Sequence, residues 1–157
     1  MSWERELQEH YRKKGMIEQG YERDEIDRFY SNVVLPAFED IKTILSQFVN
    51  SVHIKRYAYK ANLRFNEKEI RKSVFRVEVS LKGNEVVFPF ELNDMYAFGS
   101  RVPVDRLDAL DKGFIIFNFM EFFKLREQKI VEHRLANREI PKNYWKVKSK
   151  TSYGADL

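Results

Sequence analysis

The stretch "VFRVEVSLKGNEVVFPFEL", residues 74–92, decides the fold, because two alternating runs flank Gly83-Asn84. Alternation of apolar and polar residues marks strands with one buried face, and Gly-Asn between two such runs marks a hairpin turn. A two-residue turn sets Leu81 opposite Val86, Val79 opposite Phe88, Val77 opposite Phe90 and Phe75 opposite Leu92 on one face. Lys82 then faces Glu85 and Arg76 faces Glu91 on the other. A slip by one residue would send every apolar side chain to the wrong face. Pro89 points outward in this register and suggests an edge or a bulge.

Upstream, "RYAYKANLRF" (56–65) alternates Tyr57, Tyr59, Ala61, Leu63 and Phe65 with Arg56, Lys60, Asn62 and Arg64, which predicts a third strand with a basic outer face. Downstream, "GFIIFNF" (113–119) is apolar on both sides and reads as a buried fourth strand, followed by a helix from about Glu121 to Asn137.

Ahead of the sheet, Ile26, Phe29, Tyr30, Val33, Val34, Ala37, Phe38, Ile41, Ile44, Leu45 and Phe48 recur at helical spacing. Pro36 falls on the opposite, polar face, and the stripe keeps its phase across it. The pattern predicts one long helix over 24–48, bent at the proline. "SWERELQEHYRKKG" predicts a short helix before it, with Ser2 as cap, Gly15 as terminator and a thin stripe of Trp3, Leu7 and Tyr11. Such a helix docks loosely on the domain or reaches a partner.

The expected fold is therefore α+β: an antiparallel sheet of about four strands, a meander plus one. One face is covered by the long curved N-terminal helix and a C-terminal helix. A chain of 157 residues is one ordinary domain. Residues 1–20 form its peripheral helix and 139–157 a basic tail. With 13 Phe, 8 Tyr and 2 Trp, it has ample apolar material for a core.

No apolar run is long enough to span a bilayer, and the charged N-terminus is unlike a signal peptide. The chain has no cysteine, which excludes disulfides, thiolate metal sites and a Cys nucleophile. A cytoplasmic location is expected. Residues 1–50 hold 7 Lys and Arg against 10 Asp and Glu, leaving 21 against 14 in the remainder of a chain of net charge +4. Basic character therefore belongs to the C-terminal two thirds.

Motifs for catalysis are missing. His10, His53 and His133 make no HxxxH or HExxH pair, and there is no GxGxxG, phosphate loop or GxSxG. Asp105, Asp108 and Asp111, spaced by three, read as a solvated helix face before they read as a magnesium site. No cofactor, metal or catalytic residue is expected, and the chain reads as a non-enzyme. "KGFIIFNF" (112–119) resembles the RNA-recognition-motif octapeptide at Lys112, Gly113, Phe114 and Phe119. Ile115 and Ile116 replace its small residue and central stacking aromatic, and no helix directly follows the first strand, so the stretch is assigned to the core and no family is assigned.

Two functions follow from what remains. The first is a non-catalytic protein-interaction module, adaptor, regulatory or assembly, binding another protein or itself through Trp3, Tyr11, Tyr144, Trp145 and Tyr153. The second is single-stranded nucleic-acid binding by Arg56, Lys60, Arg64 and Arg76 with the tail residues Lys146, Lys148 and Lys150.

Overall fold

The computed structural model describes residues 2–18, 21–68, 70–80 and 84–136. It is an α+β fold with a five-stranded antiparallel sheet: β1 (Ser51–Arg56), β2 (Lys60–Asn66), β3 (Ser73–Ser80), β4 (Glu85–Leu92) and β5 (Met95–Pro103). Their spatial order is their chain order, a pure meander. The helices are α1 (Trp3–Glu18), α2 (Arg23–Phe29), α3 (Leu35–Leu45) and α4 (Lys112–Ala136), with a π-helical turn at Tyr30–Val34 and a 3-10 turn at Leu107–Ala109. Among the described residues no helix is long and apolar enough to cross a membrane.

The 74–92 hairpin forms, but in a register shifted by two. Phe75 pairs with Phe90, Val79 with Val86, Ser80 with Glu85 and Ser73 with Leu92. A shift of two keeps every side chain on its face, so binary patterning cannot distinguish the two registers. The core can, because Phe122 of α4 meets Phe75 at 5.5 Å and Phe90 at 5.3 Å, bridging the pair. Leu81 and Lys82, two residues of the predicted pairing, lie outside the described residues.

Other expectations need correction. The fourth strand at 113–119 is the start of α4, which begins nine residues before Glu121. Ile115, Phe119, Phe122, Arg126 and Ile130 are buried at helical spacing, and Asp111 opens the helix by accepting from the Phe114 N–H at 3.1 Å. A run apolar on all sides fits a buried strand and a helix equally, and only its length separates them. The real additional strands are β1 and β5. Tyr57 and Tyr59 belong to the β1–β2 turn rather than to a strand.

The predicted long helix is three shorter segments, α2 of 7 residues, the π turn of 5 and α3 of 11. Their junction residues Tyr30 and Leu35 are both right-handed helical, and Leu35 N–H donates to Tyr30 O, five residues back. Proline cannot donate at position 36, and the wider turn immediately before it absorbs the misfit. The α-helix of longest run is instead the C-terminal one, α4, of 25 residues. In α1, Ser2 Oγ accepts from Arg5 N–H as predicted, but the helix passes through Gly15 to Glu18.

α3 and α4 cover one sheet face. Phe38 of α3 meets Phe75 edge-on at 6.1 Å, and Phe119 of α4 meets Phe75 at 5.4 Å and Phe65 at 6.3 Å. Burial of this aromatic cluster supplies the main driving force, each ring contributing roughly 2 kcal/mol or more when fully covered. The π turn contributes Tyr30, fully buried, whose hydroxyl donates to the carbonyls of Tyr59 (2.6 Å) and Val77 (3.1 Å). Burial pushes its phenol pKa up.

Candidate functional site: an apolar groove between α3 and α4

Where α3 and α4 lie side by side, a groove of about 450 Å³ stays open on the outside of the helical layer. Its floor is core: Ile41, Leu45 and Phe119 are buried. Its walls are not. Ile44 is 58% exposed, Phe48 74% and Met120 41%, with Ile116 and Phe123 partly covered beside them. Isolated exposed apolar residues are ordinary, whereas contiguous apolar grooves are where proteins commonly take up ligands or partners.

Local structure explains why these side chains are outside. α3 ends at Leu45, and Phe48 N–H and Val49 N–H both turn back to Leu45 O at 2.9 Å and 3.0 Å. Phe48 thus lies beyond the helix, carried off the sheet-facing stripe into the groove. On α4, Ile116, Met120 and Phe123 recur at steps of four and three, a second stripe beside the one that packs on the sheet.

An ion pair closes each end. Lys112 Nζ meets Asp40 Oδ2 at 2.8 Å, and Arg126 Nη2 meets Glu67 Oε2 at 2.7 Å. Arg126 is fully buried and held on all sides: Nε donates to Ser73 Oγ at 2.7 Å, Nη1 to Glu127 Oε1 at 2.9 Å, and its guanidinium lies 4.7 Å from the centre of the Phe65 ring. All charge at the groove is compensated within the fold, so what it offers a visitor is apolar surface.

The opposite sheet face is open. Register places Lys60, Asn62 and Arg64 of β2 and Arg76 and Glu78 of β3 there together. Arg56 is elsewhere: it pairs with Ala61 on the helix side, reaches Asp27 at 2.6 Å and lies 5.3 Å from the centre of the Tyr30 ring. Acidic partners offset the cations. Arg76 and Lys72 both bind Glu91, at 2.9 Å and 2.7 Å, and Arg101 binds Glu85 at 2.7 Å. Lys72 first, and Arg76 with it, hold the Glu91 carboxyl below its ordinary pKa. Tyr96 and Phe98 stand exposed on β5 beside this face, 5.6 Å apart and edge-on, with the Arg76 guanidinium 5.8 Å from the Tyr96 ring.

Of the residues singled out from sequence, Trp3 and Tyr11 are exposed on α1, 70% and 60% respectively. Tyr144, Trp145, Tyr153, Lys146, Lys148 and Lys150 lie outside the described residues. The groove walls Ile44, Phe48 and Met120, and the β5 aromatics, were not among them. Ile44 and Phe48 carried a signal all the same, as members of an apolar stripe wider than one sheet-facing helix can bury.

Asp105, Asp108 and Asp111 share no site: Asp108 pairs with Arg28 at 3.0 Å, which lowers its pKa, and Asp111 caps α4. Among the described residues no group of three or more His, Asp or Glu is placed to hold a metal. Compared with family models, with curated proteins and with solved structures, the chain matches none.

Proposed function

We propose that the protein is a non-catalytic protein-interaction module whose docking surface is the α3–α4 groove. One observation carries the reading: Ile44, Phe48 and Met120 stand exposed around a single apolar groove, each where the fold could have placed a polar residue at no cost to the core. A groove between two helices with apolar walls and compensated ends accepts the apolar face of an amphipathic helix, read at helical spacing. Phe48 is its most exposed anchor.

The test compares what the immobilised full chain retains in three forms: wild type, Phe48→Glu and Phe98→Ser. The expected result is a protein bound by wild type and by Phe98→Ser and lost from Phe48→Glu. Retention unchanged in Phe48→Glu overturns the assignment.

The pairing of Tyr96 and Phe98 with Arg76 favours a second reading, single-stranded nucleic-acid binding on the open sheet face, since stacking aromatics beside cations are what such ligands use. The carboxylates of Glu91 and Glu85 on that face weigh against it. Fluorescence anisotropy with a single-stranded oligonucleotide at two salt concentrations decides: binding that weakens steeply with salt and is lost in Phe98→Ser supports it, and no binding at low salt removes it.

A further inference from the structure

We infer that the occupant of the groove is helix α1 of a second copy of this chain, so that two copies exchange α1 helices about a two-fold axis. The inference rests on the groove being a docking surface, and it names the partner.

The chain carries both halves of such a contact. Trp3 and Leu7, one turn apart on α1, are 70% and 50% exposed, and Tyr11, which meets the His10 ring edge-on, continues the line. Trp3 to Tyr11 spans eight helical steps, about 12 Å, and the α4 wall from Ile116 to Phe123 spans seven, about 10 Å. Stripe and groove match in length and in chemistry. A chain that exposes both meets the requirement of each by joining them.

Reach decides that the contact is between copies. Tyr21 is buried with its hydroxyl on the Val104 carbonyl, which anchors the start of α2. From there, even a fully extended connection puts Leu7 at most about 27 Å away and Tyr11 about 21 Å. The groove begins on α3 at Asp40 and Ile41, a helical rise of about 26 Å from Arg23, and continues past Ile44 at about 31 Å. Trp3 and Leu7 could reach its near part within one chain but Tyr11 falls short, so the whole stripe cannot lie along the groove of its own chain. A helix from a second copy has no such tether.

Area is sufficient. The exposed parts of Trp3, Leu7 and Tyr11 with those of Ile44, Phe48 and Met120 amount to roughly 700 Å² per groove, taking about 150–250 Å² for a whole large side chain. Two reciprocal grooves bury about 1,400 Å², within the range of specific, stable interfaces. Because the same patch pair is used twice, the assembly closes at two and does not propagate.

The experiment is sedimentation velocity on the full chain at 5–100 µM for wild type, Leu7→Glu and Phe48→Glu. Both positions are exposed, so the variants keep the fold, checked by circular dichroism. The expected result is a wild-type dimer and a monomer for each variant. Because the chain has no cysteine, Leu7→Cys and Phe48→Cys add a direct readout. Mixed and mildly oxidised, they should link to each other in preference to themselves.

A monomeric wild type, or a dimer that persists in both variants, overturns the inference. So does a double Cys variant that closes its disulfide within one chain. If wild type is monomeric while Phe48→Glu still loses a retained protein, the exchange is wrong and the interaction reading stands; if retention ignores Phe48 as well, both fall.

Discussion

Arg126 Nη2 and Glu67 Oε2 stand 2.7 Å apart, joining the middle of α4 to the connection after β2, and the arginine side chain is almost wholly screened from water while the glutamate is one third exposed. The asymmetry sets the outcome of mutation. Arg126→Ala leaves Ser73 Oγ buried without its donor and opens a cavity beneath Phe65, and it should destabilise by about 3–5 kcal/mol. Glu67→Ala leaves Arg126 still bound to Ser73 and Glu127, and it should cost clearly less, about 1–2 kcal/mol. Urea unfolding of both variants gives the order; a larger loss in Glu67→Ala would show that the carboxylate, not the packing of the guanidinium, is the stabilising element.

Gly99 should not tolerate a side chain. Its φ is +68°, and a Cβ there would lie 1.8 Å from the Phe88 carbonyl oxygen, a backbone atom that cannot step aside. It sits opposite Pro89, where the β4–β5 register breaks between Phe88 and Phe90. Gly99→Ala should therefore cost more than about 1 kcal/mol and loosen β5 before the rest of the sheet. Hydrogen exchange resolved by strand is the check, with protection lost first at residues 96–102.

At the π turn the proline and its neighbour should behave oppositely. Phe38→Ala removes a fully buried ring packed on Phe75 and should destabilise by about 3–5 kcal/mol. Pro36→Ala restores a donor and a helix-favouring residue, and should be neutral or stabilising. Thermal unfolding of the two variants decides, and an unfolded Pro36→Ala would mean that the proline is required to set the wide turn.

Stability should also depend on Glu91 in acid. Its pKa is lowered from an ordinary 4.5 by Lys72 and then Arg76, so its ionised form is the one the fold favours. A carboxyl depressed in the folded state contributes fully above its unfolded value, and the contribution fades as pH falls through the folded value. Wild type should exceed Glu91→Gln by up to about 1 kcal/mol at pH 7, the gap closing below pH 4.5. A gap of constant size from pH 7 to pH 3 would assign the effect to packing.

Reading the chain by period alone recovered the inner face of β2, β3 and β4, with Ala61, Leu63, Phe65, Phe75, Val77, Val79, Val86, Phe88 and Phe90 all buried. It did so because one buried face leaves an alternation that survives a register error of two. Other features left no such trace. β1 carries His53, Lys55 and Arg56 in six residues, and β5 has apolar residues on both faces, with Met95 and Ala97 partly buried but Tyr96 and Phe98 exposed, so neither strand shows an alternation of apolar and polar residues. The start of α4 is apolar all round because one side meets the sheet and another forms the groove wall. The groove was hidden for a related reason: Ile44 and Phe48 continue a core stripe in sequence, but Ile44 sits at the edge of a stripe too wide for α3 to bury, and Phe48 lies beyond the end of α3 at Leu45. A tight Asn93-Asp94 turn between Leu92 and Met95, with Asn93 at φ 55°, was the signal that could have revealed β5.

The meander has a consequence for how the protein comes to exist. With strand order equal to chain order, each strand can pair with the one made just before it, and no pairing waits on distant sequence. The helical lid is different. α3 precedes the sheet and α4 follows it, so during synthesis Phe65, Phe75, Phe88 and Phe90 form a sheet face that lacks half its cover until residue 136 has left the ribosome. The described fold is therefore completed only when α4 has emerged, and the nascent chain is most exposed to aggregation in the interval between β5 and the end of α4.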